Sequence, residues 1–117
     1  MGRLEVKVKT KIYQAPKNFE VAAGKSATFR CEAEVDPNLK LQIEWLFNDK
    51  PIDFDQDARI IQSSDKSLTI TKTVELDSGT YTCIAKTSLD EDRASAMLIV
   101  QGKILNFINL YFIYNYH

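Results

Sequence analysis

Residues 77–83 read Asp77-Ser78-Gly79-Thr80-Tyr81-Thr82-Cys83. Asp77 and Ser78 initiate a turn, Gly79 permits it to be tight, and the residues beyond it alternate in character. Tyr81, Cys83 and Ala85 then fall on one side, with Thr82 and Ile84 on the other. That is the two-residue period of a strand with one face in a core.

The same period runs outward in both directions. Ala27, Phe29, Cys31, Ala33 and Val35 form one inward set, and Leu39, Leu41, Ile43, Trp45 and Phe47 another. Leu68 and Ile70 follow, then Ala94, Ala96, Leu98 and Val100. Turn-forming clusters at 23–25, 36–38, 48–51, 63–65, 77–79 and 89–92 separate the runs. Six breaks imply about seven strands, the spacing of an all-β, two-sheet antiparallel β-sandwich. Helix is nearly absent, with at most a short turn expected at 74–78.

Two cysteines, Cys31 and Cys83, lie 52 positions apart on inward-facing positions. A Cys pair facing inward from opposite sheets can cross-link the sandwich with one inter-sheet disulfide, which would restrict the unfolded chain by roughly 4 kcal/mol in the entropy model. Trp45, 14 residues after Cys31, supplies a large plate against the sulfurs. Leu68 belongs to the same core. The Tyr81 hydroxyl, at a strand corner, is expected to bond to backbone near Asp77.

Composition narrows the function. The 117 residues carry 15 basic and 16 acidic side chains, net −1, which gives little warrant for nucleic-acid binding. Charge is uneven, with seven basic and two acidic residues in 1–30 against three and eight in 31–60, a pattern read as solvated strand faces and loops. His117 is the only histidine and closes the chain, so no Ser-His-Asp or Cys-His arrangement has a base. No catalytic residue, cofactor or small-molecule substrate is expected. Asp53, Asp55 and Asp57, like Asp90, Glu91 and Asp92, lack the ligand offsets of a calcium loop and read as solvated turns. The cysteines without histidine partners make no zinc site. There is no Asn-x-Ser/Thr sequon, which leaves both sheet faces free of N-linked sugar.

The ends stand apart from the sandwich. Residues 3–9 alternate as a strand of their own, so residues 1–11 are expected to be the last strand of a preceding domain plus a junction, with the sandwich spanning 12–101. Residues 102–117 form an atypical tail. Its stretch ILNFINLYFIYNYH, 104–117, carries no charge except on a protonated His117, and as a helix it reaches about 21 Å, too short for a bilayer core of about 30 Å. Three readings of it stand: translated intron sequence, since its Ile, Leu, Asn, Phe, Tyr and Lys are types that AT-only codons encode; a cryptic or interfacial anchor; or an added edge strand. Without a signal peptide or a spanning segment, the chain is expected to be a fragment of something longer.

Taken together, Cys31, Trp45 and the 77–83 run resemble an immunoglobulin domain over residues 12–101. The C-to-D interval is short for a variable-type domain, so the resemblance is to the intermediate set (I-set). It implies an Arg–Asp ion pair at the rim, matched here by Arg59 and Asp77. More closely, YQAPKNFEVAAGKSATFRC, DARIIQSSDKSLTITKTVELDSGTYTCIAKT and ASAMLIVQ resemble the last immunoglobulin domain of insect neural cell-adhesion receptors, before their fibronectin type III repeats. The resemblance implies a non-catalytic module of a neuronal plasma-membrane receptor, outside the cell. Its partners would be adhesion receptors, including the same protein on an adjacent cell, with immunoglobulin and fibronectin type III domains as chain neighbours. The adhesive contacts of that family lie largely in more N-terminal domains, so the expected role is spacing and orientation, through residues 11–16 and 98–101. The alternative is an intracellular I-set domain of a muscle-type scaffold with Cys31 and Cys83 reduced.

Overall fold

The computed structural model describes residues 8–102. The strand expected at 3–9 falls mostly outside the described residues, and the 104–117 tail falls wholly outside them.

Ten strands are present among the described residues: β1 (Lys11–Gln14), β2 (Phe19–Ala22), β3 (Ala27–Phe29), β4 (Glu32–Glu34), β5 (Gln42–Phe47), β6 (Lys50–Pro51), β7 (Ile60–Gln62), β8 (Leu68–Ile70), β9 (Gly79–Lys86) and β10 (Glu91–Gln101). A single 3₁₀ turn, Glu75–Asp77, precedes β9. One layer holds β2-β10-β9-β5-β6 in that order. The other holds β3-β8-β7 together with the pair β1-β4. β3 and β4 are one run, interrupted at Arg30 and Cys31.

The strand count exceeds seven because two runs are split and because Lys50–Pro51, within the turn expected at 48–51, forms the short strand β6 against β5. Between β1 and β2 the chain passes from one layer to the other. Pro16, buried in that crossing, has no N–H to offer a ladder, so pairing stops there. β1 then pairs with β4, while β2 pairs with β10. The β2–β10 pairing is parallel, from Phe19 opposite Leu98 to Ala22 opposite Gln101, whereas every other pairing is antiparallel.

The core lies between the layers, where Phe29, Leu68, Ile70, Tyr81, Cys83 and Leu98 are each under 2% exposed. β10 keeps strict alternation, burying Ala96, Leu98 and Val100 between exposed neighbours. On the outer face of the larger sheet Leu46, Thr82 and Ile84 are also buried. Ile84 sits in register between Glu44 and Arg93, and Leu46 beside Thr82. Central strands leave such residues covered by the stems of long cross-strand neighbours.

Candidate functional site

Cys31 and Cys83 are joined by a disulfide across the two layers, with Cα atoms 6.4 Å apart. Trp45 on β5 lies opposite Cys83 in register. It is 2% exposed, and its indole Nε1–H donates to the Lys66 carbonyl at 2.9 Å. A buried tryptophan thus keeps its one donor satisfied while its ring fills the centre. Leu68, fully buried on β8, belongs to the same cluster.

A second constellation forms at the start of β9. The Tyr81 hydroxyl donates to the Asp77 carbonyl oxygen at 2.7 Å. The Asp77 carboxylate accepts from the Val74 amide at 2.8 Å and from both terminal nitrogens of Arg59, at 2.9 and 3.2 Å. Arg59 reaches further, to the Asp57 carboxylate at 3.0 Å and the Lys72 carbonyl at 2.9 Å. Its bonds to Asp77, and then to Asp57, hold the guanidinium above its ordinary pKa. Burial first, and Asp77 second, push the Tyr81 hydroxyl above the usual tyrosine range. Gly79 has φ +156°, and a Cβ there would lie 2.7 Å from both Asn48 Oδ1 and Phe47 Cε1. Nothing in this corner is an exposed nucleophile beside a base; its groups are spent on one another.

The acidic stretches serve the backbone. Asp53 accepts the Asp55 amide, and Asp57 accepts the Arg59 amide, both at 3.0 Å. These are the side-chain turns that Asx residues make. Among the described residues no group of three or more His, Cys, Asp or Glu could hold a metal ion.

The sequence reading missed one cluster. The Val8, Thr10 and Ile12 amides donate to carboxylates of Asp36, Asp90 and Asp92 at 3.1, 2.9 and 2.9 Å. The Thr10 hydroxyl adds a bond to Asp90, and Thr10 is 4% exposed. The Thr10 hydroxyl, followed by its amide, holds the Asp90 carboxyl below the usual range. Thr10 and Lys11, read from sequence as a junction, therefore lie against the sandwich, with Lys11 beginning β1. The signal was the alternation of Asp90 and Asp92, which puts two carboxylates on one side of the chain where the β9–β10 loop runs into β10. Distance along the chain hid their partners, 80 residues away.

A family model for the Immunoglobulin I-set domain matches residues 10–100. Neuroglian of Drosophila melanogaster is 54% identical over 100 residues, covering 86% of this chain and 8% of Neuroglian. Neurofascin of Gallus gallus is 40% identical over 98 residues, covering 84% of this chain and 7% of Neurofascin. Among solved structures, the tandem Ig repeats of Dlar superpose with a TM-score of 0.72 at 25% identity, over 80% of this chain and 49% of that one. The chain spans less than a tenth of the length of these two curated relatives.

Proposed function

The chain belongs to the immunoglobulin I-set family, and on that premise we propose that it is a module of a neuronal cell-surface adhesion receptor. It acts without catalysis, mainly as a spacer that sets the relative orientation of its chain neighbours. Fold alone would not support this, because the sandwich hosts many functions. The observation that carries it is the 54% identity to Neuroglian over 100 residues, joined to a disulfide-bonded core. Partners in this reading are adhesion receptors, including the same protein on an apposed cell, and the module works outside the plasma membrane.

The disulfide weighs against the muscle-scaffold reading, since a cytosolic domain would keep Cys31 and Cys83 reduced. Both cysteines are buried, so alkylation in denaturant without reductant separates the two. No label on either cysteine supports the surface reading, and two labelled thiols favour the scaffold.

The spacer role is tested in cells that express the parent receptor. Replacing residues 12–101 by an unrelated I-set module of equal length that carries carboxylates at the positions of Asp36, Asp90 and Asp92 should leave cell aggregation near the wild-type level, while deleting them should reduce it. Aggregation lost equally on replacement, or supported by this module alone on beads, would instead make the module itself an adhesive surface.

A further inference from the structure

Residues 8–12 run up to one pole of the sandwich, where the β4–β5 and β9–β10 loops end. In an extended chain alternate amides point to the same side. Val8, Thr10 and Ile12 present theirs to Asp36, Asp90 and Asp92, while the intervening Lys11 sits opposite Glu34 of β4. One edge of the incoming segment thus pairs with a strand, and the other is paired by carboxylate side chains standing in for one. Bonds from amides to ionised carboxylates are stronger than neutral ones. They come from two loops and from β10, so the segment is held at three points along its length.

At the same pole Val8, Leu39 and Leu89 line a concavity of about 310 Å³, with Lys9 and Asp90 at its sides. Val8 is 42% and Leu89 62% exposed. A lone exposed leucine would carry no meaning. Here Val8 is both a wall of the concavity and a residue of the clamped segment, so the apolar surface adjoins the point at which the described chain enters the sandwich.

We propose that this pole is the seat for the β-sandwich module immediately upstream in the parent receptor. Asp36, Asp90 and Asp92 fix the direction of the connecting chain, and Val8, Leu39 and Leu89 supply the apolar contact. The proposal rests on the spacer reading and gives it a mechanism: orientation is set by a stiff lead-in rather than by a free linker.

The clamp is tested first in this chain, by amide exchange. The Thr10 amide should exchange at least about tenfold faster in Asp90→Ala, with the Ile12 amide, held by Asp92, changing much less. A Thr10 amide that exchanges at the free-peptide rate in the wild type overturns the clamp. The seat is tested in the parent protein carrying its upstream module, by ¹⁵N relaxation. The two modules should share one correlation time in the wild type and separate in Asp90→Ala/Leu89→Ser, with thermal unfolding showing that each is still folded. Common tumbling that persists in the folded double variant overturns the seat but leaves the spacer reading standing. Independent tumbling in the wild type overturns both.

Discussion

Tyr81 and Asp77 are tied by a 2.7 Å hydrogen bond from the phenol to a main-chain carbonyl, inside the turn that leads to the core cysteine. The bond makes Asp77 a hub, since its carbonyl holds Tyr81 while its carboxylate holds Arg59 and the Val74 amide. Tyr81→Phe keeps the ring against Phe29 and Phe47, at centroid distances of 5.2 and 4.8 Å, and removes only the donor. The cost should be about 1–2 kcal/mol, the penalty of an unsatisfied buried carbonyl. Urea unfolding should show a lower midpoint with an unchanged slope.

The Arg59–Asp77 pair should couple more strongly than the exposed pairs. Asp77's side chain is 9% exposed, and both guanidinium nitrogens engage it, whereas Lys86 and Glu44 are 44% and 47% exposed and meet at 3.6 Å. A double-mutant cycle with Arg59→Met and Asp77→Asn should give about 1–2 kcal/mol of coupling. The cycle with Lys86→Met and Glu44→Gln should give at most about 0.5 kcal/mol. Equal values would mean that the corner is no stiffer than the open sheet.

Among the described residues, three carboxyls held below their usual range contribute to the acid response. The Thr10 hydroxyl holds Asp90 below the usual range, the Arg59 amide does so for Asp57, and the Ser67 hydroxyl for Asp65. A carboxyl depressed in the folded state contributes stability that is complete above its unfolded pKa, about 4, and is lost as pH falls through the lower folded value. The contribution of these groups to the melting temperature should therefore stay flat from about pH 7 to about pH 5 and decline below about pH 4. Thr10→Val should make the acid decline shallower, because Asp90 loses its strongest stabilising donor. An acid slope unchanged in that variant would show that the Thr10 bond does not hold Asp90.

Gly79→Ala is expected to be among the more damaging small substitutions. It combines an unfavourable φ of +156° with contacts of 2.7 Å to Asn48 and Phe47. Overpacking and backbone strain together should cost about 2 kcal/mol or more. Chemical denaturation checks this. Asn48→Gly in the same background should recover part of the loss, since it removes one of the two clashing side chains.

What the sequence made legible follows from how far each signal reaches along the chain. The alternation in 81–85 and 94–100 is local, and with the turn clusters it yields the all-β sandwich. Cys31, Trp45 and the 77–83 turn carry their spacing openly, so the disulfide-bonded core could be read as well. Leu46 and Ile84 were less legible, because their burial depends on strands adjacent only in the folded sheet. The crossing at Pro16 splits one strand between layers, which period alone does not reveal. The bonds from Thr10 to Asp90 and from Ile12 to Asp92 span 80 residues, and carboxylates in a turn look the same whether or not a distant amide meets them.

The parallel pairing of β2 with β10 has a mechanical consequence. β10 closes the described chain and β2 is the second strand from its start, after β1, so the two lie near its two ends and run side by side in the same direction. Tension applied through those ends would slide one past the other, so their bonds must rupture together rather than unzip singly. If that barrier gives way, the Cys31–Cys83 bridge still withholds the intervening segment from extension. On the proposed reading, the module is then a link whose extension is limited to the segments outside Cys31 and Cys83, with the 52-residue span between them held back.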